Sequence, residues 1–370
     1  MRNLSLTILA VLSLMLPAAP AVADGPRYAS GFTFDQKDGF TLVTVTTPWQ
    51  GATADDARQY LLYRRGTEPP AGYQDALAVA VPVRSVITMS TTILPHLEQL
   101  GETSALVAVD SLAWVYSPVI RSRGEQGAIV DVGSGTMVDV ERTLSLDPDV
   151  IFANSYGGEW DAHPTLERVG LPIAISGDWV EQNPLGRAEW ILFTALFFDK
   201  LDVAQQLFRE IESSYLGLST LAAGAVSRPT VLINAPYQGT WSIAGGESYA
   251  ARFIQDAGGR YIWEDDQTAG ALFLDFETVL AEAGSADVWI NPGVWGSLAD
   301  GRSEDRRFER FESFSSGMVF NNNRRVSPGG GIDYFESGAA NPHIVLKDLI
   351  WAFHPELVPG YEPYYYHQLK

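Results

Sequence analysis

The 370-residue sequence contains no cysteine, and this absence excludes several kinds of site. Without a thiol the chain can form neither a disulfide nor a thiolate metal centre. It also lacks the residue that carries a bacterial lipid anchor, so we expect a protein that is not lipid-anchored. Histidine is scarce and scattered, without the close spacing of zinc ligands, so no metal site and no cofactor are predicted. The five histidines are His96, His163, His343, His354 and His367.

Positive charge is also sparse. The sequence contains 25 Lys and Arg residues against 45 Asp and Glu residues, which gives a formal net charge of −20. Nucleic acid and anionic membrane surfaces demand basic patches, so neither is expected as a partner. The acidic balance favours solubility and docking on a basic partner surface. The sequence also lacks a G-x-S-x-G nucleophile elbow and a phosphate-binding loop, and no carboxylate pair stands out by its spacing. We therefore expect a binding protein and not an enzyme.

Long apolar runs are missing beyond the N-terminus. There, Arg2 precedes an apolar run from Leu4 to Leu16, and Ala21-Val22-Ala23 fits the small-x-small rule of signal peptidase. This pattern predicts a signal peptide over residues 1–23 and export to a periplasm. The run is too short to span a bilayer comfortably, and no later stretch is long and apolar enough to do so.

Hydrophobic periodicity divides the remaining chain into a β extension and two α/β lobes. An Asp-Gly turn between Phe32–Asp35 and Phe40–Val45 predicts a hairpin. Further along, short buried strands alternate with helices, which is typical of parallel sheets covered on both faces. The predicted segments are the β extension over 24–80, an N-terminal lobe over 81–184, a bridging helical region over 185–223 and a C-terminal lobe over 224–370.

Each predicted lobe contains a strand that begins with Asp and runs into a polar loop, Asp149–Asn154 in one and Asp287–Asn291 in the other. Ligands of open α/β sheets bind beyond the carboxyl ends of strands, so these loops are expected to face a shared cleft. Loop aromatics offer rigid apolar area, and Asn and Arg can pair with polar ligand groups. Packing within the loops is the alternative role for about half of them. The candidate ligand-binding residues are Ser90, Thr91, Trp114, Tyr116, Asn154, Tyr156, Trp160, Tyr237, Trp241, Asn291, Trp295, Arg324 and Tyr334.

Three further segments stand out: Arg84–Ser90 with the following helix, the stretch from Val132 to Ile151 with its Leu-Asp-Pro-Asp-Val-Ile sequence, and Gly246–Gly259. Through these segments the chain resembles, over roughly residues 82–357, the periplasmic binding proteins for vitamin B12, haem and ferric siderophores. The resemblance implies two Rossmann-like lobes joined by a long bridging helix, and a cleft that closes only slightly. It also implies a partner, the permease of an ABC importer in the inner membrane. The β extension is not part of the common family pattern.

Family members dock on the permease through one acidic residue on each lobe. Glu247 matches the C-terminal-lobe position, whereas Pro95 occupies the N-terminal-lobe position and departs from the pattern. Glu98 lies three residues further on the same helix face and is the expected substitute. For His96 the two alternatives are a contact with a ligand or metal and a place on the helix surface, and the sequence favours the surface.

The function implied by the resemblance is that of a monomeric substrate-binding protein for a small-molecule metal chelate, an iron–siderophore or haem. A corrinoid such as cobalamin is the alternative within the same class, and an exported α/β hydrolase is the alternative from another class. Anionic catecholate chelates are usually bound by several clustered cations. The cations in the candidate loops are only Arg123, Arg324 and Arg325. An aromatic, hydrogen-bonding pocket suits a neutral chelate or a corrinoid equally well.

Overall fold

The computed structural model describes residues 25–370, so the predicted signal peptide lies outside the described residues. The N-terminal extension forms a four-stranded sheet in the order β1-β2-β3-β4, in which only the β3–β4 pair is parallel. The predicted hairpin is confirmed, because Lys37 pairs with Phe40 across Asp38-Gly39 and Gly39 takes the left-handed φ of 84° that the turn needs. The strands are β1 (Phe32–Lys37), β2 (Phe40–Val45), β3 (Arg58–Arg64) and β4 (Leu77–Val81).

The N-terminal lobe is built on a parallel five-stranded sheet in the order β7-β6-β5-β8-β9. Apart from the edge strand β7, its strands are short and almost fully buried, which explains their continuous apolar sequences. The elements are β5 (Val86–Thr88), α1 (Leu94–Gln99), β6 (Leu106–Val109), α2 (Pro118–Glu125), β7 (Val130–Asp131), α3 (Val140–Ser145), β8 (Val150–Ala153), α4 (His163–Arg168) and β9 (Ile173–Ile175).

Three helices bridge the two lobes: α5 (Pro184–Glu189), α6 (Ile191–Phe197) and α7 (Leu201–Ala223). The sequence predicts one apolar helix up to Phe198, but the structure divides it at Trp190. Every residue of α6 is buried. One side packs in the lobe, where Phe197 meets Phe152, and the other meets the extension, where the ring of Phe193 lies 5.8 Å from that of Phe32 between centroids. By contrast, α7 is amphipathic and buries one stripe, as its periodicity predicts.

The C-terminal lobe contains a second five-stranded sheet in the order β13-β10-β15-β16-β17, parallel except for the edge strand β17. A separate antiparallel sheet, β11-β12-β14, was not predicted. The strands are β10 (Thr230–Ile233), β11 (Pro236–Tyr237), β12 (Thr240–Ala244), β13 (Arg260–Tyr261), β14 (Ala271–Asp275), β15 (Val288–Ile290), β16 (Val319–Asn321) and β17 (His367–Gln368). The helices are α8 (Tyr249–Asp256), α9 (Phe276–Ala283), α10 (Leu298–Glu304), α11 (Glu312–Ser315), α12 (Asp333–Glu336) and α13 (Pro342–Phe353).

Two buried carboxylates fasten the extension to the rest of the molecule. Glu189 of α5 accepts the backbone N–H groups of Arg27, Tyr28 and Ala29, with N···O distances of 2.7–3.0 Å. Glu181 accepts the backbone N–H groups of the next two residues, Ser30 and Gly31, each at an N···O distance of 2.9 Å. Hydrogen bonds to ionised acceptors are stronger than neutral ones, so the start of the extension is fixed beside the bridging helices. The structure therefore confirms the predicted α/β fold of two lobes, a bridging helix and a β extension.

Candidate functional site

A pocket lies at the carboxyl edge of each parallel sheet, where the sequence places the candidate loops. The N-terminal pocket has a volume of about 430 Å³ and the C-terminal pocket about 400 Å³. The N-terminal pocket is lined by Met89, Ser90, Thr91, Asp110, Trp114, Ser134, Gly135, Ala153, Asn154, Tyr156, Trp160, Asp161, Ala162 and His163. The C-terminal pocket is lined by Arg187, Ile233, Asn234, Ala244, Tyr249, Ala250, Asn291, Gly293, Val294, Asn322, Ile332, Tyr334, Phe335 and Ala339.

The N-terminal pocket brings together six of the predicted residues: Ser90, Thr91, Trp114, Asn154, Tyr156 and Trp160. Its three aromatic side chains are unusually open for their size, with exposures of 59% for Trp114, 71% for Tyr156 and 73% for Trp160. Large aromatics are normally buried, and a cluster of exposed ones is typical of a surface that binds a partner or ligand.

One carboxylate organises the loop that carries Tyr156 and Trp160. Asp161 accepts the hydroxyl proton of Ser155 at 2.7 Å, and its two oxygens accept the backbone N–H groups of Tyr156, Gly157 and Gly158 at 3.0–3.2 Å. The loop is thus preorganised, although it contains no regular secondary structure. Asn154 begins this loop, and its side-chain oxygen is buried without a hydrogen-bond partner among the described residues.

The C-terminal pocket includes two of the predicted residues, Asn291 and Tyr334. Asn234 and Asn291 directly follow strands β10 and β15, and both adopt left-handed backbone conformations, with φ of 62° and 56°. Non-glycine residues rarely take this conformation, and such residues cluster at functional sites. The side-chain oxygen of Asn291, like that of Asn154, is buried without a partner among the described residues. Corresponding strand ends of the two lobes thus each offer an unsatisfied acceptor.

Arg187 lines the C-terminal pocket and was not predicted from the sequence. It lies on α5, its Nε donates to Asp178 at 3.4 Å, and its guanidinium covers the ring of Tyr249 at 5.2 Å. Although burial lowers the pKa of Arg187, the charge of Asp178 raises it above its usual value, so the guanidinium stays charged. Asp178 also accepts hydroxyl protons from Ser176 and Thr92, at 3.0 and 3.4 Å.

Five predicted residues lie in neither pocket: Tyr116, Tyr237, Trp241, Trp295 and Arg324. Tyr237 is exposed on the hairpin of β11 and β12. Tyr116 lies under the guanidinium of Arg325, which is 5.0 Å from the ring centroid. Arg324 forms an ion pair with Glu362.

Two tryptophans that were expected in the cleft belong instead to the aromatic core of the C-terminal lobe. Trp241 is fully buried, its Nε1 donates to the carbonyl of Ile233 at 3.0 Å, and its ring packs on Trp289 at 5.5 Å between centroids. Trp295 is 2% exposed and donates to Glu304 at 2.7 Å. We correct the prediction for these two residues, since their surfaces are covered by phenylalanines that only the folded chain brings together.

The other candidate cations also have partners outside the pockets. Arg325 pairs with Asp333 at 2.7 Å, and Arg123 donates to the carbonyl of Thr103. Consequently Arg187, in the C-terminal pocket, is the only Lys or Arg that lines either pocket within residues 25–370. It was missed because it lies on a helix and not in a loop after a strand.

The two expected docking residues are both exposed. Glu247 lies at the N-terminal end of α8, directly before its N-cap Ser248. Glu98 lies on α1, and its carboxylate accepts the hydroxyl proton of Ser117. Pro95, at the position where the family has its acidic residue, is buried.

His96 is not on the helix surface, which corrects the interpretation that the sequence favours. It is 2% exposed, and its Nδ1 lies 2.9 Å from the hydroxyl of Thr194 on α6. Burial lowers the pKa of His96 to about 4, so it is neutral at physiological pH. Over residues 25–370 no group of three or more His, Asp or Glu is arranged to hold a metal ion.

Comparison with known proteins places this fold in a family. The model of the periplasmic binding protein family matches residues 86–301, and the chain belongs to this family. Two uncharacterized lipoproteins of Methanocaldococcus jannaschii are 25% and 24% identical to it, over 84% and 86% of this chain and 75% and 82% of theirs.

Solved structures share the architecture at low identity. A periplasmic haem-binding protein from Pseudomonas aeruginosa is 16% identical, with a TM-score of 0.58 over 78% of this chain and 98% of that one. A protein of an Fe³⁺-hydroxamate transport system from Saccharomonospora viridis is 15% identical, with a TM-score of 0.56 over 74% of this chain and 94% of that one. These structural similarities establish the fold but not the ligand. The ligand has to be inferred from the residues that line the pockets.

Proposed function

We propose that this protein captures a bulky metal chelate, an iron–siderophore or haem, between its two lobes and delivers it to the permease of an ABC importer. The family consists of substrate-binding proteins of such transporters. The observation that carries the proposal is the cluster of exposed aromatics in the N-terminal pocket, Trp114, Tyr156 and Trp160. Rigid aromatic faces suit a ligand that is flat or has a large apolar surface, and they lose little entropy on binding.

The charge of the pockets supports a chelate with little negative charge. Arg187 is a single cation, and Asp178 balances it in part. A highly charged tris-catecholate complex would meet too few counter-charges there. Haem, with two propionates, and ferric hydroxamates, whose chelate core is neutral, fit better. The names of two structural neighbours, a haem-binding protein and an Fe³⁺-hydroxamate transport protein, agree with this choice.

Titration of the purified protein with four compounds tests the proposal. Haem, a ferric trihydroxamate, its iron-free form and cyanocobalamin are added while tryptophan fluorescence and the ligand absorption spectrum are recorded. We expect saturable, submicromolar binding of haem or of the ferric hydroxamate, with quenching of the exposed tryptophans. Preferential binding of cyanocobalamin would show that the ligand is a corrinoid and not an iron chelate. Binding of none of the four compounds would refute the proposed ligand class.

We also propose that the protein is exported and acts as a free monomer, without a lipid anchor. The two archaeal relatives are named as lipoproteins, whereas this sequence contains no cysteine. Within residues 25–370 no helix has both the length and the apolarity to cross a bilayer. N-terminal sequencing of the exported protein tests cleavage before Asp24, and a retained Met1 would refute it.

A further inference from the structure

The loop that follows β2, residues 47–51, reaches the ligand-binding side of the molecule; we call it the extension loop. Its Trp49 contacts the loop of residues 154–163, which carries Tyr156 and Trp160. Its Gln50 reaches the C-terminal lobe and packs against Gly270. The contact is close: if Gly270 carried a Cβ atom, that atom would lie only 3.2 Å from the amide nitrogen of Gln50. A segment outside the common family pattern therefore touches both lobes beside the pockets.

The extension loop is held firmly at its base. The backbone N–H groups of Thr46 and Thr47 donate to the carbonyl of Gly31, at 2.8 and 3.3 Å. Gly31 is itself bonded to the buried Glu181. Thr47 packs closely on Gly177: if Gly177 carried a Cβ atom, that atom would lie 2.4 Å from the carbonyl oxygen of Thr47. These contacts therefore fix the base of the extension loop on the bridging side of the molecule's N-terminal lobe.

Trp49 supports the back of the pocket loop by direct packing. A Cβ on Gly157 would lie 2.5 Å from Cδ1 of Trp49, and Gly157 also has a left-handed φ of 72°, so only glycine fits this contact. The indole ring also stacks on His163 at the other end of the same loop, with 6.3 Å between centroids and 28° between planes. Trp49 thus contacts both ends of the loop that presents Tyr156 and Trp160.

We propose that Trp49 is a positioning residue of the ligand site, through which the β extension holds Tyr156 and Trp160 in the conformation that binds the chelate. This inference rests on the proposed function. A loop that is ordered before binding pays less conformational entropy when the ligand arrives, and the gain falls mainly on the dissociation rate. The ligand class is one that stacks on aromatic faces.

The test compares Trp49→Ala with Tyr73→Ala, a second aromatic of the extension, which packs on Phe40 within the extension itself. Amide hydrogen exchange is measured first, because it needs no ligand. In Trp49→Ala we expect faster exchange at Tyr156, Gly157 and Gly158, whose N–H groups bind Asp161, and in Tyr73→Ala we expect wild-type exchange there. Equal exchange in the wild type and Trp49→Ala would overturn the proposal.

Binding is measured second, with haem and a ferric trihydroxamate as probes. We expect Trp49→Ala to weaken binding of the probe that the wild type binds by on the order of tenfold, mainly through faster dissociation. Trp49→Phe should restore most of the loss. Faster exchange without any loss of affinity would overturn the role of Trp49 in the ligand site. If neither probe binds the wild type, the proposed ligand class fails, while the exchange experiment still decides whether Trp49 orders the loop.

Discussion

At the scale of single residues, Trp114 and Trp241 show why similar side chains have different roles. Both were expected in the cleft because both lie in loops or turns near strand ends. The structure leaves more than half of Trp114 open and buries Trp241 completely. Local sequence does not separate the two, because the burial of Trp241 depends on Phe276, Phe308 and Phe311, which lie 35 to 70 positions away in the chain. Residue type and strand position predict a candidate, and tertiary packing decides its exposure.

Alanine substitutions should separate the two roles. We expect Trp114→Ala to weaken binding of the cognate chelate by about 1–3 kcal/mol, as for a contact with an aromatic side chain, and to change the unfolding midpoint little. Trp241→Ala should instead lower the free energy of unfolding by about 3–5 kcal/mol, because it leaves a cavity in a packed core. Fluorescence titration and urea unfolding measure the two effects. Unchanged affinity in Trp114→Ala would remove this residue from the site.

Arg187 leads to a second prediction at this scale, on the charge of the ligand. Arg187→Gln should weaken binding of a chelate that carries a carboxylate by about 1.5–3 kcal/mol, the usual strength of a hydrogen bond to a charged group. It should affect a neutral ester of the same chelate far less. Calorimetric titration with haem and haem dimethyl ester provides the comparison.

The control for Arg187 is Arg228→Gln, which removes an arginine that lies outside both pockets and pairs with Glu264 at 3.8 Å. We expect this variant to bind both forms of haem like the wild type. Equal losses for the acid and the ester in Arg187→Gln would show that Arg187 shapes the pocket without pairing with a ligand anion.

At the scale of elements, the hydrophobic pattern predicts the buried strands and the amphipathic α7 well. It misses α2, which buries only Ile120 and therefore shows no apolar stripe. It also misses the small sheet of β11, β12 and β14, whose two outer strands are largely exposed. The candidate loops at the ends of β8 and β15 follow from the repeated Asp-aliphatic pattern, whereas the supports of those loops, Asp161 and Trp49, depend on contacts that no periodicity shows.

One contact between elements joins the two lobes and depends on pH. Glu336 of α12 accepts the backbone N–H groups of Tyr116 and Ser117, at the start of α2, at 2.6 and 2.8 Å. Burial outweighs these hydrogen bonds and raises the pKa of Glu336 to about 7, and the nearby acids Asp333 and Glu98 act in the same direction. The raised pKa means that folding favours the protonated side chain.

The sign of the pH effect follows from linkage. Because the pKa of Glu336 is higher in the folded than in the unfolded chain, its contribution to stability is full below about pH 4.5 and is lost as the pH rises through about 7. Across this window the wild type should lose about 3 kcal/mol relative to Glu336→Gln, which cannot ionise. Urea unfolding at several pH values measures the difference. The exposed Glu68→Gln should follow the wild type, and parallel curves for the wild type and Glu336→Gln would refute the prediction.

At the scale of the whole molecule, buried carboxylates link the extension, the bridging region and the two lobes. The extension is fastened to the bridging region through Glu181 and Glu189, and the lobes touch through Glu336. With contacts at both places, the lobes have limited freedom to separate, which agrees with the small closure that the family resemblance implies. On the proposed function, we therefore expect delivery of the ligand to require a partner that acts on both lobes at once.

Docking on the permease is expected to involve one exposed acid on each lobe, Glu247 and Glu98. Opposite charges on the transporter would steer the encounter and fix the orientation, and reversing a charge at such a contact costs several kcal/mol. We therefore expect Glu247→Arg to reduce uptake in cells severely. Because Glu98 also accepts a hydrogen bond from Ser117, Glu98→Gln is the safer change there: it removes the charge and keeps an acceptor.

The double variant, Glu247→Arg with Glu98→Gln, gives the clearest test. Uptake of labelled chelate should be lost, while the purified protein keeps its unfolding midpoint and its affinity for the ligand, since neither side chain lines a pocket. Glu68→Arg makes a matched charge reversal on the extension and should transport normally. If the double variant still supports uptake, these two residues are not the docking pair. If it loses ligand binding instead, Glu247 contributes to the cleft, and the separation of docking from capture is wrong.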